Sequence, residues 1–218
     1  MTNGVIEQIS KQVYSFHSSD TSGHDWCHVS RVWKLARYIA EKEGANFFLV
    51  ELAALLHDID DHKIEGADSI NLPNAKRLLR NHNVDSVHIE RVVQIIKEVS
   101  FKGACVEAKT SSIEACVVQD ADRLDAIGAI GIARAFTFGG SKKRELYHPE
   151  IHPKLHDSFE EYKNAKGTTL NHFYEKLLLL KDRLNTQTAK DIALDRHSFM
   201  EQFLERFLAE WYTKDFNF

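Results

Sequence analysis

Apolar positions along the chain recur mostly at helical spacing, and almost nowhere with the period of two expected of a strand. In DWCHVSRVWKLARYIAEKEG, Val29, Val32, Trp33, Ala36, Ile39 and Ala40 fall on one helix face, and Gly44 is placed as a C-terminal stop. NFFLVELAALLHD is apolar nearly all round, the pattern of a helix buried on every side. VIEQISKQVYSF, PNAKRLLRN and DSVHIERVVQIIKEVS predict three more helices. Ser111 and Glu114 form a capping-box pattern opening EACVVQDADRLDAIGAIGIARAF, in which Gly128 and Gly131 predict close packing or a kink. GGSKKRELYHPEIHPKLHD reads as a long loop with room for some local helix. Helices follow it, with Phe199, Phe203, Phe207, Leu208 and Trp211 as an expected core stripe. The expectation is an all-α protein, one domain over residues 1–218, without repeats or a linker.

Composition narrows the class more than the chemistry. The 218 residues are 43% apolar and 28% charged, ordinary for a globular protein with one substantial core. A net charge of −4 gives no reason to expect nucleic acid or an anionic membrane as partner. Cys27, Cys105 and Cys116 are odd in number and form no CxxC pair, which argues against a disulfide framework. MTNGVIEQISKQ lacks a basic-then-apolar leader, and no apolar run reaches membrane-spanning length, so a cytoplasmic protein is expected.

The densest polar stretch, LLHDIDDHK, stands directly behind the most apolar helix. Buried polar groups are costly unless something pairs with them. His57 and Asp58 diverge by about 100° on a helix, so both reach an ion lying between them but do not complete its site. Partners are offered by His24 and His28, one turn apart, and by Asp120 and Asp122, about 200° apart, of which one faces a shared site. Two imidazoles and two carboxylates suit a borderline-to-hard divalent ion such as Mn²⁺, Fe²⁺, Co²⁺ or Mg²⁺. Each fragment alone has an ordinary reading as a helix cap, an ion pair or a solvated end. Their order on three separate helical segments is what points to a metal.

In that order the fragments resemble the HD-domain metal-dependent phosphohydrolases, whose pattern is H…HD…D on a helical bundle. His28 matches the first histidine, His57-Asp58 the central pair, and Asp122, within ADRLDA, the closing aspartate. HDWCHVSRV and LLHDIDD are similar to the short stand-alone bacterial members, and the likeness covers about 23–136. The resemblance implies an HD-type bundle completed by the C-terminal helices. It implies one divalent ion on His28, His57, Asp58 and Asp122, with Mn²⁺ expected first and Mg²⁺, Fe²⁺, Co²⁺ or Ni²⁺ as alternatives. The implied activity is hydrolysis of a small nucleotide substrate, as a nucleoside triphosphate pyrophosphohydrolase or nucleotidase. Asp61, three residues beyond Asp58, is the expected catalytic carboxylate. His24, Lys63, Lys102, Arg123 and Arg134 are the expected substrate contacts, with Asp25 as support or cap. The SKKRELYHP run is either a cover over phosphates or a solvated loop.

Rival readings are weaker. A (p)ppGpp-type alarmone hydrolase usually carries Glu-Asp where Asp61-His62 stands. The cyclic dinucleotide branch would need a Gly-Tyr-Pro motif, which LYHP does not replace. A di-iron oxygenase would need His82 and His88 as further ligands. A catalytically silent nucleotide-binding module would pass its signal to a partner domain, and no output linker is visible.

Overall fold

Helix α3 (Phe47–Leu56) organises the molecule because its sequence leaves it no polar face. Leu49, Val50, Leu52, Ala53, Ala54, Leu55 and Leu56 are all buried, and neighbouring helices cover it from several sides. The computed structural model describes residues 2–18, 25–60, 68–99, 109–155 and 167–216. Around α3 pack α1 (Thr2–His17), α2 (Trp26–Glu43), α5 (Ser86–Val99) and α6 (Ile113–Asp125), while α4 (Pro73–Asn81) lies on α5. The chain continues through α7 (Gly128–Ser141), α8 (Thr169–Glu175), two 3₁₀ turns at Leu177–Leu179 and Lys181–Arg183, and the long α9 (Gln187–Trp211). No strand occurs among the described residues, so the all-α expectation holds. One buried apolar cluster extends from Ile6 to Leu204. No described helix is long and apolar enough to cross a membrane.

Several ends follow their sequence signals. Asp25 caps α2 by accepting the His28 N–H, and Gly44 closes the helix in the left-handed conformation. Asn46 caps α3 on the Leu49 N–H. The expected face of α2 is the buried one, with Val29, Val32, Ala36, Ile39 and Ala40 fully enclosed and Trp33 partly so.

Three local readings need correction. The stretch 114–136 is two helices: α6 ends at Asp125, Ile127 is extended, and α7 begins at Gly128, whose φ of +75° favours glycine. The cap of α6 is Ser112, whose side chain accepts the Ala115 N–H. Glu114 therefore does not close a capping box. It turns inward, accepting the Asn46 N–H and pairing with Arg91, while Ser111 donates to Glu98. On α9 the buried side chains are Ala189, Ala193, His197, Met200 and Leu204, and Phe199 and Trp211 are exposed. Phe203 and Phe207 meet Phe136 and Phe173 at the edge of the core instead. Local helix in the stretch that begins at Gly139 was expected, and Gly139 to Ser141 finish α7. A Cβ on Gly139 would lie 2.2 Å from the Thr169 hydroxyl, so a glycine is what lets α7 and α8 approach there.

Candidate metal centre

Three of the helices around the core end or begin at one corner. His28 sits in the first turns of α2, His57 is the residue that terminates α3, and Asp58 follows it in the turn. Asp122 comes from the last turn of α6, which packs on both. His28 Nε2 lies 3.3 Å from His57 Nε2, 3.2 Å from Asp58 Oδ2 and 3.5 Å from Asp122 Oδ1. His57 Nε2 lies 3.5 Å from Asp58 Oδ1 and 3.9 Å from Asp122 Oδ1. Donor atoms of His28, His57 and Asp58 all fall within 4.8 Å of one another. Donors at right angles around an ion, with bonds of about 2.1 Å, are about 3 Å apart, so the spacing fits a common metal.

The tautomers fit it too. His57 Nδ1 is 2.8 Å from the Ala54 carbonyl, which can only accept, so Nδ1 carries the proton and Nε2 presents its lone pair to the cluster. His28 Nδ1 is 2.7 Å from Asp125 Oδ2, with the same consequence. Burial of the His28 ring opposes charge, but Asp125 and Asp58 beside it outweigh burial and raise its pKa to about 9. Without a metal, a proton on Nε2 takes the place of a cation between the carboxylates. His28, His57 and Asp58 are buried, whereas the Asp122 side chain is 31% exposed, so the cluster opens towards solvent on the α6 side.

The model of the HD domain family matches residues 25–127. YpgQ of Bacillus subtilis is 44% identical over 201 residues, covering 92% of this chain and 90% of its own length. The chain belongs to the HD-domain family. Among solved structures, a Lactobacillus plantarum protein superposes with a TM-score of 0.87 at 39% identity, covering 98% of this chain and 99% of its own. An HD-superfamily hydrolase from Bacillus thuringiensis gives 0.76 at 41%, covering 97% and 99%. Bacillus subtilis YpgQ in complex with ADP gives 0.73 at 40%, covering 94% and 96%.

Within this HD-domain chain the two neighbouring aspartates of α6 separate cleanly. Asp122 joins the histidines, whereas Asp120 is fully buried on the other side of the helix. There it accepts the N–H groups of Asn185 and Thr186, the Asn185 amide and the Thr186 hydroxyl. It thereby holds the chain where α9 begins. Asp60 has a comparable task, taking the Asn74 and Ala75 N–H groups at the start of α4. His82 bonds Gln8 and His88 bonds Asp85 and packs on Phe48, so neither joins the cluster.

The expected substrate contacts fare differently. Arg123 departs from expectation: one residue beyond Asp122 its side chain leaves in another direction, donates to the Arg183 carbonyl, and is buried, which pushes its pKa down. Arg134 reaches the neighbourhood of the site, but through Asp125, to whose Oδ2 it donates at 2.9 Å. Lys142 and Arg144 of the basic run lie over the Phe138 ring. His24, Asp61, Lys63 and Lys102 lie outside the described residues.

Asp125 is the residue that sequence reasoning missed. It is 2% exposed, and its carboxylate takes His28 Nδ1, Arg31 Nε at 2.6 Å, Arg31 Nη2 at 3.1 Å and Arg134 Nη1. Burial alone would raise its pKa, yet His28, Arg31 and Arg134 hold it well below the usual carboxylate range. A signal was present: Asp125 follows Asp122 by three residues on the same helix, which puts both on one face.

Proposed function

We propose that this chain is a metal-dependent phosphohydrolase acting on nucleotides, as a nucleoside triphosphate pyrophosphohydrolase or nucleotidase. The observation that carries the reading is the convergence of His28, His57, Asp58 and Asp122, from three helices, with both imidazoles turned to present Nε2. These four residues would hold one divalent ion, and their nitrogen and oxygen donors favour Mn²⁺, Fe²⁺, Co²⁺ or Mg²⁺ over a thiolate-loving metal. Such an ion supplies Lewis acidity that activates water and polarises a phosphoryl oxygen. The buried carboxylate of Asp58 and the half-exposed one of Asp122 balance the charge of the cation while leaving one side open to substrate. Asp61, three residues beyond Asp58, would accept the proton of the attacking water. Support for a nucleotide comes from YpgQ, which has been crystallised with ADP, and support for hydrolysis from the Bacillus thuringiensis hydrolase.

The ADP complex of that relative equally suits a module that binds nucleotide without turning it over. Purified protein incubated with Mn²⁺ and a panel of nucleoside mono-, di- and triphosphates separates the two. Turnover that a chelator abolishes is expected, and the products identify the bond cut. Tight binding with no phosphate or pyrophosphate released would establish the silent module instead. Within the enzyme reading, Asp61→Asn should retain the metal while turnover falls by roughly 10²–10⁴-fold. Loss of metal from that variant would make Asp61 a ligand, and near-normal turnover would leave it a solvated helix end.

A further inference from the structure

We propose that Asp125 is a positioning residue serving both halves of the site, setting His28 towards the metal and Arg31 towards a phosphate of the substrate. The phosphate half rests on the phosphohydrolase reading above.

Asp125 differs from the buried carboxylates of Asp60 and Asp120 in what it binds. Its side-chain oxygens meet only side chains, from α2 and from α7, and support no helix end. One negative charge there faces two guanidinium groups and an imidazole, so positive charge is left over beside the cluster. Arg31 stands three residues after His28, on the same face of α2. Its Nε and Nη2 are both committed to the carboxylate, which freezes the plane of the guanidinium. Its Nη1 makes no hydrogen bond among the described residues, and the side chain is 34% exposed. Arg134 alone matches the charge of Asp125, so charge balance at this carboxylate does not account for Arg31. A guanidinium fixed in orientation, with an unused donor edge one turn from a metal ligand, is preorganised for a phosphoryl oxygen. Arg31 would be the contact and Asp125 the group that aims it.

The test uses the full chain with two probes, Mn²⁺ alone and ADP at saturating Mn²⁺, each by titration calorimetry. Asp125→Asn keeps the shape but replaces one acceptor oxygen by a donor and removes the charge. It should weaken Mn²⁺ binding by roughly 10–100-fold, the usual cost of losing the partner behind a ligand, and weaken ADP binding as well. Arg31→Gln, at a half-exposed position that tolerates change, should leave Mn²⁺ affinity within about twofold and weaken ADP binding by about tenfold or more. A purely structural Asp125 would lower the melting temperature and leave both affinities of the folded protein unchanged, which would overturn the proposal. Wild-type ADP affinity in Arg31→Gln would overturn the phosphate half even if Asp125→Asn fails to fold. Should the wild-type protein bind Mn²⁺ but no ADP, the nucleotide reading and the phosphate half fall together. The Mn²⁺ titration of Asp125→Asn then still decides the metal half.

Discussion

The two faces of α6 put the same side chain to opposite uses. On one, Asp120 is enclosed by neutral donors from residues 185 and 186, and burial pushes its pKa up despite them. On the other, Asp125 is equally enclosed, yet the cations His28, Arg31 and Arg134 pull its pKa far down, and Asp122 beside it remains partly open. A carboxylate among backbone N–H groups fixes chain geometry. A carboxylate among imidazole and guanidinium groups fixes the orientation and charge of those groups, which is the role we propose for Asp125 at the candidate site. Burial is the same for the two, and the identity of the donors is what separates them.

The comparison is broken most severely at Asp122. Asp122→Asn should reduce turnover by more than the roughly 100-fold that follows loss of a partner behind a ligand. Asp120→Asn should keep turnover within a few-fold, because its partners lie where α9 begins. Steady-state kinetics with Mn²⁺ on both variants checks this, and equal losses would dissolve the distinction between the faces. The next effect is on stability. Asp120→Asn replaces an acceptor by an amide facing other donors, and should cost about 1–3 kcal/mol in denaturant unfolding.

Much of this contrast was legible in the sequence. Alternate positions on a helix lie about 200° apart, so Asp120 and Asp122 had to face apart, and the H…HD…D resemblance chose between them. The limits of α2, α3 and α5 were legible because caps and apolar spacing agree there, and α4 has no side-chain cap but opens at Pro73. The spacing of Asp125 from Asp122 marked its face but not its partners, because Arg31 and Arg134 approach it only once α2 and α7 have packed. The break between α6 and α7 depends on a positive φ at Gly128, and a glycine in a helical pattern permits packing, kink or break alike. The aromatic stripe of α9 misled because aromatic spacing marks a face without saying which side is covered. The small residues Ala189 and Ala193 face the core there.

A smaller, pH-dependent effect sharpens the same comparison. Asp125 ionises in the folded protein well below the ordinary aspartate value of 3.8. Its contribution is therefore fully present above about pH 4 and is lost as pH falls through the folded value. Asp120 acts in the opposite sense, because its raised folded pKa lets the native state take up a proton first, and stability is gained as pH falls. In the presence of a chelator, Asp125→Asn should flatten the fall of Tm between about pH 5 and pH 2, and Asp120→Asn should steepen it. The reverse slopes would contradict the assignment of donors. The smallest expected signal is a proton count. Since His28 holds its extra proton up to about pH 9, Mn²⁺ binding at neutral pH should release about one proton, falling towards none near pH 10. Calorimetry in buffers of different ionisation enthalpy measures it.

That His28, His57, Asp58 and Asp122 form one metal site is tested most directly by counting metal. Equilibrium dialysis against Mn²⁺ followed by elemental analysis should find about one ion per chain in wild-type protein and in Asp120→Asn. It should find almost none in Asp122→Asn or His57→Ala at the same free Mn²⁺. A wild-type chain that binds no Mn²⁺, Fe²⁺, Co²⁺ or Mg²⁺, or an Asp120→Asn chain that loses the ion while Asp122→Asn keeps it, would contradict the site.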